Sequence, residues 1–235
     1  MKLIKNLFRL QNFDNNFHFF VPFSLICCIF LLILAVPAII NSPDDYQQGN
    51  AIKIMYIHVP AAWMSLLIYT LMAIFNISGF IWKNRFFYII AKSIAIIGAT
   101  FTAITLITGS LWGQPIWGTW WVWDARLTSV LILFFLYLGY IILLDSFEDK
   151  EKGEKIAAIL SIVGFINVPI IKFSVEYWNS LHQPASILRK GGVAIHESML
   201  SPLFLMFALY FSLFVFLSLI RVKSEIISIK LQNIR

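Results

Sequence analysis

The chain has 235 residues, 60% of them hydrophobic and only 13% charged, with a formal net charge of +6. An ordinary soluble domain holds about 45–50% apolar and about 25% charged residues, so too few polar side chains are present to cover a soluble surface of this size. That composition excludes intrinsic disorder, a disulfide scaffold and a soluble nucleic-acid module, and it points to a lipid bilayer.

A bilayer core of ~30 Å takes ~20 helical residues to cross. Six apolar stretches meet that length, at about 19–40, 59–81, 86–111, 127–144, 156–173 and 202–220. They are continuously apolar, without the alternation of a transmembrane barrel strand, so helices are expected. The first stretch is too long and starts too late for a cleavable signal. Cys27 and Cys28 lie inside it, adjacent and outside any CxxC or CxxCH motif, and are expected to be packing residues. Pro60 and Pro202 fall where the second and sixth helices are expected to begin, with Ser201 as the N-cap of the sixth. Pro169 lies within the fifth and is expected to kink it. No internal repeat or linker interrupts the pattern, which predicts an all-α polytopic bundle of six transmembrane helices in a single integral membrane domain.

Basic residues set the orientation. Lys2, Lys5, Arg9, Lys83, Arg85, Lys92, Lys150, Lys152, Lys155, Arg221, Lys223, Lys230 and Arg235 fall toward one side, 13 in all. Only Lys53, Arg126, Lys172, Arg189 and Lys190 fall toward the other. Positive residues accumulate on the inner side, so both termini are expected to face the cytoplasm or the mitochondrial matrix. The loops at about 41–58, 112–126 and 174–201 then face outward.

Those outward loops carry the unusual residues. Trp112, Trp117, Trp120, Trp121 and Trp123 place five of the eight tryptophans in twelve positions, within SLWGQPIWGTWWVWDARLTS. An interfacial aromatic belt accounts for one or two of them. Five, spaced by Gly113, Pro115 and Gly118 and closed by Asp124, suit a platform for a large flat ligand, because tryptophan offers wide stacking area with little rotamer entropy to lose. His58, in MYIHVPAAW just before the second helix, and His182, in WNSLHQPAS after the fifth, lie on either side of this loop in sequence. Neutral imidazole is a common axial ligand of haem iron, so the pair could hold a haem over the tryptophans. His196 is a further outward candidate, ranked as a rim residue, and His18 is read as interfacial on the inner side. Asp124 suits an N-cap of the fourth helix. Arg126 either pairs with it or meets a ligand carboxylate.

WGTWWVWDARLTS resembles the tryptophan-rich WWD signature of haem-handling proteins in cytochrome c biogenesis. MYIHVPAAWMS and EYWNSLHQPASI resemble the two histidine segments that flank it in the haem exporter protein C family. The resemblance covers roughly residues 50–205, and Val130 and Tyr177 depart from the expected pattern. It implies a six-helix protein without catalytic chemistry of its own. His58 and His182 would be axial ligands of a transient, non-covalent haem b. Trp112, Trp117, Gly118, Trp120, Trp121, Trp123, Asp124 and Arg126 would form the platform. It further implies delivery of haem to a periplasmic haem chaperone, partnership with ATP-binding-cassette and small membrane subunits, and a bacterial inner or mitochondrial inner membrane. Lipid is the expected surround and nucleic acid is not an expected partner. The alternative reading is a permease subunit of an ABC-type haem transporter; a b-type cytochrome is disfavoured because its histidines would lie inside spans.

Overall fold

The computed structural model describes residues 10–183, 187 and 192–232. Seven helices are present among them: α1 (Leu10–Ile40), α2 (Met55–Trp82), α3 (Arg85–Trp117), α4 (Ala125–Asp145), α5 (Lys150–Gly164), α6 (Asn167–Tyr177) and α7 (Glu197–Gln232). A single turn of 3₁₀ helix, Asn50–Ile54, leads into α2. With α5 and α6 taken as one broken span, six helical segments are long and apolar enough to cross a membrane. The six apolar stretches of the sequence all lie within them. Phe19, Phe23, Ile26, Phe30 and Ile33 of α1 are exposed, which only a lipid surround makes favourable on one helix. The chain is a multi-pass membrane protein.

Local chemistry explains the turns. Lys83 ends α2 in the left-handed region at φ 48°. Asn84 then caps α3, its side chain accepting from the Phe86 N–H, so two residues reverse the chain and α2 and α3 pack antiparallel. Asp149 caps α5 in the same way, through the N–H groups of Glu151 and Lys152. The fifth span breaks after Gly164. A proline ring clashes with the carbonyl four residues back, here that of Phe165 behind Pro169, so the expected kink is present as a full interruption.

The largest core lies between α2, α3, α4 and α5, where Met64, Ile68, Met72, Ile94, Leu133 and Tyr137 are fully or almost fully buried. Buried polar groups there pair across helices. Asn76 donates to Ser161 Oγ at 2.7 Å, and Tyr137 donates to the Ser65 carbonyl at 2.8 Å. Ion pairs tie the ends opposite the tryptophans: Arg85 to Glu154 at 3.0 Å and Lys92 to Glu225 at 2.8 Å. α1 lies apart from this core against α7. Cys28 packs on Leu209 and meets Ser212 Oγ at 3.3 Å, the packing role expected of it.

Two helix starts differ from expectation. Pro60 and Pro202 sit inside α2 and α7, each in the sixth position, because the helices begin earlier, at Met55 and Glu197. A proline there is still close enough to the N-terminus that the bond it forfeits is one of the first the helix would make. Ser201 is accordingly within α7 and not its cap. Lys2, Lys5, Arg9, Arg189, Lys190 and Arg235, used for orientation, lie outside the described residues.

Candidate haem site

The start of α2, the end of α3, the start of α4 and the link after α6 meet at one end of the bundle. His58 belongs to the first turn of α2, not to the loop before it, and is 8% exposed. The helix starts earlier than hydrophobicity alone suggested because the 3₁₀ turn runs directly into it. Its ring meets Trp112 edge-on with centroids 5.7 Å apart, and Nδ1 lies 3.1 Å from Thr108 Oγ1. His182, half-buried, stands across from it with ring centroids 6.4 Å apart and planes at 35°. Trp117 approaches His182 at 6.3 Å. The two histidines are thus neighbours, each with its own tryptophan.

The tryptophan segment is less of a loop than its composition suggests. Trp112 and Trp117 belong to the last turns of α3, which runs on through Pro115. Only Gly118 to Asp124 is non-helical. Gly118 terminates α3 at φ 74°, donating its N–H to the Gln114 carbonyl. A left-handed C-cap of this kind favours glycine. Trp112 is held from the other side, its indole N–H donating to Gln48 Oε1 at 2.9 Å. Trp121 and Trp123 meet edge-on at 5.6 Å. Trp120 and Trp123 are exposed, at 59% and 76%. Among the described residues these three make no ring contact with either histidine. The Trp121 indole N–H is buried without a hydrogen-bond partner, a donor left open to an acceptor from outside the chain.

Asp124 caps α4 as expected, one carboxylate oxygen accepting from the Leu127 N–H at 2.8 Å. Its other oxygen accepts from the Ser180 hydroxyl, and Ser180 Oγ in turn accepts from the His182 N–H at 3.0 Å. Arg126 does not pair with Asp124. It donates to Ser174 Oγ at 3.2 Å and to the carbonyls of Ile171 and Lys172 at 3.4 and 3.3 Å, tying α4 to the end of α6. It also lies 3.4 Å from His182 Nδ1, while the Gln183 carbonyl lies 3.0 Å from the same nitrogen. The guanidinium can only donate to Nδ1 and the carbonyl can only accept from it, so each contact suits one tautomer of the ring. Burial pushes the His182 pKa below its ordinary 6.5, and the Arg126 guanidinium adds to the shift.

His196 is exposed and immediately precedes α7. Its Nδ1 faces Ser198 Oγ at 2.8 Å, and its carbonyl accepts from the Met199 N–H. It acts as a helix cap, the position expected of Ser201. His18 lies near the start of α1, at the far end of the bundle, against Phe17. Sequence reasoning did not single out Thr108, Ser174, Ser180 or Gln48. Serine and threonine in helices and links carry no pattern of their own, and only the fold shows what they touch.

Both histidines have Nδ1 in contact within the chain, at Thr108 Oγ1 and the Gln183 carbonyl, and an indole stands beside each ring. The sequence profile described as "Heme exporter protein C" matches residues 4–235. The heme exporter protein C of Bradyrhizobium diazoefficiens is 45% identical over 215 residues, 92% of this chain and 82% of its own. A putative cytochrome c biosynthesis ccmC-like mitochondrial protein of Marchantia polymorpha is 51% identical over 205 residues, 82% of this chain and 87% of its own. The heme exporter protein C of Escherichia coli K12 is 45% identical over 185 residues, 78% of this chain and 74% of its own. A match of this length and identity, over the segment that brings His58, His182 and the tryptophans together, means that the chain belongs to the haem exporter protein C family.

Proposed function

We propose that this protein handles haem for cytochrome c maturation by holding it at the outer face of the membrane, with His58 and His182 as axial ligands. The observation that carries the reading is the pair of imidazoles with centroids 6.4 Å apart. Two imidazoles sharing one metal end-on, each about 2 Å from it, have centroids on the order of 6 Å apart. Trp112 and Trp117 beside the rings, and the exposed Trp120 and Trp123 beyond them, supply apolar stacking area for the macrocycle. The open Trp121 N–H and the Arg126 guanidinium are suitable donors for the haem carboxylates.

The haem is cargo, bound without a covalent bond as haem b, and passes to a periplasmic haem chaperone. ATP-binding-cassette and small membrane subunits are the partners in a bacterial inner membrane, or in the mitochondrial one. The whole chain acts as one membrane domain with both termini inside. A conduit for haem through the bilayer is less well supported, since Asn76 and Ser161 at mid-span satisfy each other. The test is purification in mild detergent followed by an absorption spectrum. Wild type should carry a bis-imidazole haem, His58→Ala and His182→Ala should retain part of it with altered spectra, and the double variant should lose most. Wild-type spectra from both single variants would overturn the axial assignment.

A further inference from the structure

Thr108 lies on α3, one helical turn before Trp112, on the side that faces His58. Its hydroxyl hydrogen is already committed: Oγ1 donates to the Ile104 carbonyl at 2.6 Å. This is the usual back-bond of a threonine within a helix. A hydroxyl has one hydrogen, so toward His58 Nδ1, 3.1 Å away, the same oxygen can only accept. An acceptor with no hydrogen left to give faces this edge of the ring. Nδ1 therefore carries the hydrogen, and Nε2 keeps its lone pair.

Gly109 gives the ring its place. A Cβ at that position would lie 3.0 Å from His58 Cε1, closer than ordinary contact allows. The imidazole thus rests directly on the α3 backbone, with Trp112 against its edge. We propose that Thr108 is a positioning residue that fixes His58 in its Nδ1–H tautomer and so keeps Nε2 ready for iron, with Gly109 setting the depth of the ring. The proposal rests on the reading of His58 as a haem ligand and names what prepares it. Hydrogen bonds to the distal nitrogen of a ligating histidine fix its tautomer and orientation, and their loss costs metal affinity about 10- to 100-fold.

The test begins on the haem-free, full-length protein in detergent, with nitrogen-15 in the histidine rings and the His58 signals identified by their loss in His58→Asn. Wild type and Thr108→Ser should show Nδ1 protonated and Nε2 bare. Thr108→Val and Thr108→Ala should show averaged shifts from two tautomers. With haem loaded, the Val and Ala variants should lose it at least 10-fold faster, and Thr108→Ser should restore retention. A protonated Nε2 in wild type overturns the proposal, as does an unchanged tautomer in both Val and Ala, or failure of serine to rescue. If His58→Ala kept the wild-type haem spectrum, the ligand reading would fail while the nitrogen-15 result on the tautomer stood on its own.

Discussion

Asp124 is joined to His182 through a single hydroxyl. Ser180 donates to the carboxylate and accepts from the His182 N–H, while the same carboxylate caps α4. One acidic residue thus starts a helix and places a candidate ligand far along the chain, beyond two further helices.

That arrangement separates two effects. Asp124→Ala removes both and should cost about 1 kcal/mol of stability from the cap alone, with loss of haem. Ser180→Ala leaves the cap intact, so thermal stability should stay near wild type while haem dissociates faster. Asp124→Asn retains capping and weakens the charged contact to Ser180, and should show modest haem loss with a larger defect in loading the chaperone. Melting curves, haem off-rates and chaperone haem content measure the three. Equal haem retention in Ser180→Ala and wild type would sink the link.

Haem retention should depend on pH through His182. Its pKa lies below 6.5, lowered first by burial and then by Arg126, with Asp124 and the Gln183 carbonyl opposing. For a base held below its unfolded value, the unfolded chain binds more protons. The neutral ring therefore contributes stability above pH 6.5, and the contribution is lost as pH falls through the folded value. The same neutral form is the one that would ligate iron under the proposed reading. Arg126→Gln removes one lowering influence, so acid release of haem should shift to higher pH than in wild type. A shift to lower pH, read from the absorption spectrum across a titration, would contradict the assignment. Arg126→Lys should not rescue α6 anchoring, because lysine cannot reproduce a fork of donors to Ser174, Ile171 and Lys172.

The exposed indoles separate binding from folding. Trp120 and Trp123 project at 59% and 76% exposure, so alanine at either should leave the melting temperature within error. Haem retention should nevertheless weaken by ~0.5–1.5 kcal/mol for each indole that no longer stacks on the macrocycle. Trp112→Ala, which also breaks the bond to Gln48, should lower both. If Trp120→Ala and Trp123→Ala together left haem occupancy and chaperone loading unchanged, these tryptophans would be interfacial anchors only.

Orientation is open to direct labelling. Cysteines at Tyr46, 90% exposed, and at Trp123 should react with an impermeant maleimide from the outer side, and one at Lys152 only from the inner. Reaction at 123 from the inner side would reverse the topology and the proposed hand-off with it.

The six spans were legible because length and apolarity suffice to define a bilayer crossing. Helix ends were not. Hydrophobicity cannot see that His58 continues a 3₁₀ turn into α2, or that α3 carries Trp112 and Trp117 past Pro115, because these segments are held by backbone bonds rather than by lipid. The histidines and the tryptophan segment stood out through unusual residue types. Arg126 was visible but its partners were not: it turned from the nearby Asp124 to Ile171 and Ser174 on α6, a separate helix. Thr108 and Ser180 had no sequence signal, since a hydroxyl's role is defined by which neighbour takes its one hydrogen.

The interruption of the fifth span at Phe165 and Ile166 makes the two sides of the site unequal. His58 is embedded where α2 lies along α3, and displacing it means prising apart the most extensive helix pair in the bundle. His182 follows an eleven-residue half-helix and is moored by Ser180, Gln183 and Arg126. Among the described residues, the polar contacts of His182 itself are these few. If the two histidines hold haem as proposed, His182 is the ligand more easily withdrawn, and release to a partner would proceed over the His182 side.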